Sequence, residues 1–158
     1  MTVLDALQRA VATEHAAVYG YGLVGARLAA AELYAATAAY TAHQTRRDAI
    51  AVLIRDLKAQ PVAAPPAYRP RQPLTNRPAA LRLAVRLEAD CAAAYVAILG
   101  QSDTAALRRS AIGWLTDAVV RDQTWRSALG RRTLAMTPAL PGLVAPRTAT
   151  ATPTPGTR

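Results

Sequence analysis

Residues 60–76 read Gln60-Pro61-Val62-Ala63-Ala64-Pro65-Pro66-Ala67-Tyr68-Arg69-Pro70-Arg71-Gln72-Pro73-Leu74-Thr75-Asn76, and this stretch decides the fold. Five prolines forbid a helix there, because each lacks an amide donor and its ring collides with the preceding turn. Extended at ~3.3 Å per residue, the segment reaches roughly 50 Å. A helix of about 25 residues is only ~37 Å long at a 1.5 Å rise. The segment can therefore run the whole length of a helical bundle. On either side of it lie long helix-forming stretches, each with one short internal break, and short connections make antiparallel hairpins. The predicted architecture is all-α: a four-helix bundle with a long crossover between helices 2 and 3, which a simple up-down bundle would not need.

Working outward, helix one starts at Thr2, where Thr2-x-x-Asp5 resembles a capping box, and runs to about Leu28. Helix two follows a break near 29–31 and ends by about Ala59. Asn76 with Pro78 opens helix three, Gly100 closes it, and Ser102 or Asp103 caps helix four, which runs to about Gly130. The bundle is expected over 1–135. Residues 136–158, rich in Thr, Pro and Ala, are expected to be a disordered tail.

Composition narrows the class. Apolar residues are 52% of the chain, but aromatics only 5% with no Phe, so the core must be Ala, Leu, Val and Ile at close helix–helix distance. The net charge of +9 comes almost wholly from arginine, spread over every helix and interrupted by acids. No basic stripe with interleaved aromatics is present, so nucleic-acid binding is not expected. Cys91 is the only cysteine and excludes a disulfide framework or thiolate zinc cluster; it reads as a buried thiol. No charge-free apolar run spans a membrane and no signal peptide is evident, so a cytoplasmic protein without a membrane partner is expected.

Heptad stepping exposes the interior. Helix one steps through Leu4, Leu7, Val11, Glu14, Val18, Tyr21, Gly25 and Leu28, and helix two through Leu33, Ala36, Tyr40, His43, Arg47, Ile50, Ile54 and Leu57. Helix three steps through Leu81, Ala84, Glu88, Cys91, Tyr95 and Ile98. Helix four has an apolar register, Ala111, Leu115, Ala118, Asp122, Trp125 and Leu129, and a poorer one through Trp114, Asp117 and Arg121. Each seam carries a polar residue near mid-height. A buried polar group, above all a carboxylate, is costly unless paired, hydrogen-bonded or metal-bound, so four polar residues at one level imply a built layer.

Glu14-His15-Ala16-Ala17-Val18-Tyr19-Gly20-Tyr21-Gly22, His43-Gln44-Thr45-Arg46-Arg47-Asp48, Arg86-Leu87-Glu88-Ala89-Asp90 and Tyr95 together resemble an uncharacterised bacterial ferritin-like family, a domain of unknown function. The resemblance covers roughly residues 2–130 and implies a ferritin-like bundle without implying an activity. Di-iron bundles place a lone Glu on two helices and Glu-x-x-His on the other two. Glu14 and Glu88 match the lone acids, but the paired motifs fall on Tyr40/His43 and Asp122/Trp125, a reduced set.

Two readings of the layer follow. In one, Glu14, His43, Glu88 and Asp122 hold a single divalent cation, Fe or Mn or else Zn, with Fe or Mn serving redox chemistry or storage. In the other, Arg47 bridges Glu14 and Glu88, with His43, Tyr40 and Tyr95 completing a metal-free network that needs no cofactor. The metal-free network is preferred, because an arginine beside a cation site is repulsive. The preferred function is thus a non-catalytic bundle, expected as a homodimer with no identified protein partner. His15 and the two tryptophans read as surface, core or dimer-contact residues.

Overall fold

Thr2 starts the first helix with a reciprocal cap: its hydroxyl accepts from the Asp5 amide at 3.1 Å, and the Asp5 carboxylate accepts from the Thr2 amide at 2.7 Å. Two donors that a helix start leaves open are satisfied. The computed structural model describes residues 1–68 and 73–130. In it four helices follow in order: α1 Val3–Gly25, α2 Ala30–Asp56, α3 Arg77–Gln101 and α4 Ala105–Ala128. No strand occurs among the described residues, and no helix there is long and apolar enough to cross a membrane. The tail expected over 136–158 lies outside the described residues.

Several helix ends differ from expectation. The α2 helix stops at Asp56, and Lys58 just beyond it takes a left-handed backbone (φ 60), a common way to end a helix. The α3 helix continues through Gly100 to Gln101, and the extended Ser102 ends it. Neither Ser102 nor Asp103 caps α4; Thr104 does, accepting from the Leu107 amide at 3.3 Å. Asn76 caps α3 as expected, accepting from the Ala79 amide at 2.9 Å.

The α1 helix packs on α2 and α3, and α3 on α4, so α1 and α3 form the centre. Tyr21 of α1 meets Glu88 of α3 while Tyr95 of α3 meets Glu14 of α1, which makes the two helices antiparallel. Leaving α2, the crossover is tied to the start of α1: Gln8 donates to the Gln60 carbonyl at 2.7 Å and accepts from the Val62 amide at 2.8 Å. At its far end Arg27, beyond α1, donates to the Leu74 carbonyl at 2.9 Å. The two described ends of the crossover thus lie at opposite ends of α1.

The core falls into two apolar clusters. One contains Leu7, Val11, Ile50, Ile54 and Ile98; the other contains Val24, Leu81, Leu87 and Trp125. Glu14, His43 and Glu88 belong to neither and are fully buried. Buried alanines at 6, 10, 80 and 84 permit close α1–α3 approach. At Gly20 an added Cβ would lie 2.6 Å from a Leu87 methyl, while at Gly22 it would meet nothing within 4 Å.

Opposite effects are therefore expected from one substitution at two places in α1. Gly22→Ala should stabilise by about 0.5–1 kcal/mol, the helix-propensity difference. Gly20→Ala should lose that gain and more, because overpacking costs about 1–3 kcal/mol. Urea denaturation of both variants beside the parent checks the pair.

Candidate functional site

Mid-height on three helices, α1 presents Glu14, α2 His43 and α3 Glu88, and their side chains converge inside the bundle. The His43 ring lies between the acids: Nδ1 is 2.8 Å from Glu14 Oε2, and Nε2 is 3.2 Å from Glu88 Oε1. An ionised carboxylate only accepts, and a neutral imidazole carries one N–H. Donating to both sides therefore requires the imidazolium. Burial pulls the His43 pKa down, but the hydrogen bonds and charges of Glu14 and Glu88 outweigh it and raise the value above the usual histidine range.

A second shell repeats the same chemistry on both sides. The Tyr21 hydroxyl donates to Glu88 at 2.5 Å and accepts from Trp125 Nε1 at 2.8 Å. The Tyr95 hydroxyl donates to Glu14 and accepts from Arg46 Nη1 at 3.1 Å. Burial, reinforced by the adjacent carboxylates, pushes both phenols well above their ordinary pKa. Arg46 continues to Asp117 at 3.0 Å, and Arg121 donates to Glu88 at 3.0 Å. Tyr21 also stacks on the His43 ring with centroids 5.2 Å apart.

This symmetry is written in the chain. Glu14 and Tyr21 recur 74 positions on as Glu88 and Tyr95, and the buried Ala6, Leu7 and Ala10 recur as the buried Ala80, Leu81 and Ala84. At 75 positions, Arg46 of α2 matches Arg121 of α4, whereas His43 matches Ala118. The α1–α2 and α3–α4 hairpins thus carry related polar layers, and the histidine is the element present once. That repeat is the signal by which Tyr21, Arg46 and Arg121 could have been found.

The structure corrects two members of the expected network. Arg47 does not bridge Glu14 and Glu88; it is 27% exposed and donates to Asp48 at 2.8 Å. Its neighbour Arg46, 5% exposed, enters the interior. Tyr40 is half-buried and accepts from Gln44 at 3.1 Å, away from the carboxylates. The α4 register is also settled: Asp122 is buried, and Asp117 is 57% exposed yet holds Arg46 from the rim. Trp125 is a core residue and Trp114 packs on the Tyr95 ring at 5.9 Å.

These positions bear on metal binding. Glu14 and Glu88 occupy opposite nitrogens of one imidazole, so a cation bound at either nitrogen faces only one of them. Asp122 is held at 2.6 Å by Arg126. Trp125, in the last Glu-x-x-His position, offers no ligand atom. The expected set does not converge on one point and does not fit a dinuclear centre. Among the described residues Glu14, His43 and Cys91 do converge, with ligand atoms within 4.8 Å of one another, and such a triad could hold a metal ion. Burial and the two nearby glutamates push the Cys91 thiol well up, which opposes the thiolate a metal needs. Among the described residues Glu88 Oε2, Asp122 Oδ1 and Arg121 Nη2 are buried without a hydrogen-bond partner.

Comparison with known proteins gives a family and a fold relative. The family described as "Domain of unknown function (DUF4439)" matches residues 6–145. The crystal structure of a conserved hypothetical protein from Mycobacterium tuberculosis is similar, with 33% identity and a TM-score of 0.76 over 79% of this chain and 95% of that one. No curated protein matches.

Truncating the central ring strands two buried carboxylates, so His43→Ala should cost about 3–5 kcal/mol. Adjacent arginines should then separate sharply. Arg46→Ala should cost at least about 1.5 kcal/mol through its buried charged hydrogen bonds, and Arg47→Ala should stay within about 0.5 kcal/mol. Denaturation midpoints of the three variants test this order.

Proposed function

The chain belongs to the family described as "Domain of unknown function (DUF4439)", and from the chemistry of its central layer we propose that it is a non-catalytic, ferritin-like helical bundle held in register by a metal-free polar network. The observation that carries this reading is the His43 imidazole with an acid at each nitrogen. A protonated ring supplies the positive charge that a cation would otherwise bring between Glu14 and Glu88. Arg46 and Arg121 bring two more cations to the same layer, and Asp117 lies against the first of them.

Nothing in this arrangement offers a reacting group. Both phenols are used as donors to carboxylates, the thiol is buried near two glutamates that oppose its ionisation, and no hydroxyl of the layer stands beside a free base. Buried polar groups of this kind specify helix register in some systems. Here each contact joins different helices, so a slip of one helix along another would break several at once.

The second reading, a metal-binding relative using Fe or Mn, is favoured by the Glu14–His43–Cys91 convergence. Melting of protein purified without chelators, with and without added Fe(II) or Mn(II), separates the two. A ligand that binds only the folded state must raise the melting temperature. The metal-free reading expects no stoichiometric metal by elemental analysis and no shift; bound metal with a shift sinks it.

The pH dependence supplies a second test with a definite sign. The folded pKa of His43 lies above its ordinary value of 6.5, so its contribution is complete below about 6.5 and is lost as pH rises through the folded pKa. Stability should fall as pH rises from about 6.5 through the raised folded pKa, and His43→Gln should abolish that slope. The other histidine, His15, is present in both proteins and serves as the internal control. A metal-loaded site would behave oppositely, because deprotonation strengthens metal binding.

A further inference from the structure

Outside the polar layer, a groove of about 470 Å³ opens between α1, α2 and the crossover. That volume is in the range of small-molecule sites, roughly 300–1,000 Å³. Its walls combine three phenol rings, Tyr19, Tyr40 and Tyr68, with Pro65 of the crossover, and His15 and Arg47 stand at its edge. Among the described residues no carboxylate lines it. The Tyr19 and Tyr68 rings are 5.3 Å apart and tilted at 44°, leaving an angled aromatic face.

Arg47 is the telling residue. Its Nε serves Asp48, and no bond from its two terminal nitrogens occurs among the described residues, so a parallel pair of donors is available to a carboxylate. We propose that this groove binds a small planar aromatic carboxylate, its ring against Tyr19 and Tyr68 and its carboxylate on Arg47. Aromatic walls select the flat apolar body, and the two terminal nitrogens of Arg47, its Nε being taken by Asp48, select the charge. The crossover supplies one wall, so the same segment that sets the topology builds the site. The proposal does not depend on the polar layer.

The test uses the full chain and three probes: 2-naphthoate, the neutral 2-naphthamide, and cyclohexanecarboxylate, which keeps the charge without the ring. Calorimetric or NMR titration should show saturable 2-naphthoate binding at least about tenfold tighter than either other probe, as expected for one charge-assisted contact plus ring stacking. Arg47→Met should weaken it about tenfold or more. Arg47 lies outside the core, and an unchanged melting temperature confirms an intact fold. No saturable 2-naphthoate binding at millimolar concentration, equal affinity for the amide, or undiminished binding to Arg47→Met each overturns the proposal.

Discussion

One imidazole between two carboxylates is the constraint on which the rest of the bundle depends. Three helices must place His43, Glu14 and Glu88 at one height and aim them at one another, because a fully buried acid without a partner is far more costly than any single apolar contact is favourable. The apolar residues could pack in neighbouring registers with modest loss, alanine cores being smooth. The layer cannot, since its partners are specific atoms. It also divides the core, with the Leu7–Ile54 cluster toward one end and the Leu81–Trp125 cluster toward the other.

From that pair of contacts the second shell follows by symmetry. Each glutamate takes a tyrosine from the opposing central helix, and each tyrosine takes an N–H from a flanking helix, Arg46 on one side and Trp125 on the other. The related hairpins explain why this works twice: antiparallel α1 and α3, each with Glu and Tyr seven residues apart, necessarily bring each Tyr to the other's Glu. The symmetry breaks at one point. Opposite His43 stands the buried Ala118, so one ring serves both acids.

Much of this was legible from residues alone. The prolines of 60–76 dictated the crossover, and Thr2, Asn76 and Gly130 marked helix ends, whereas α3 runs on through Gly100. Heptad stepping found Glu14, His43, Glu88, Cys91, Tyr95 and Asp122 as interior. It failed at Arg46 against Arg47 for a geometric reason. At about 100° per residue, Arg46 stands about 60° to one side of His43 and Arg47 about 40° to the other, so periodicity alone prefers Arg47. Which flank of the stripe is buried depends on what stands there: Tyr95 and Asp117 await Arg46, while the Arg47 side opens on the groove beneath the crossover. Tyr40 misleads the same way, lying on that open flank. A single helix's pattern carries no information about its neighbours' side chains. Only the repeat linking Glu14–Tyr21 to Glu88–Tyr95 does, and it lies in comparing two halves of the chain.

The crossover and the layer constrain each other in turn. With α2 ending beside Gln8 and α3 starting near Arg27, the chain must return along α1 before α3 can begin. That return makes α2 and α3 run the same way, which puts α1 and α3 antiparallel and lets each tyrosine find the opposing glutamate. A short α2–α3 turn would reverse α3, carrying Tyr95 to the far side of Glu88 and leaving Glu14 without its second donor. The proline segment that forbids a helix is thus what allows the buried acids to be paired.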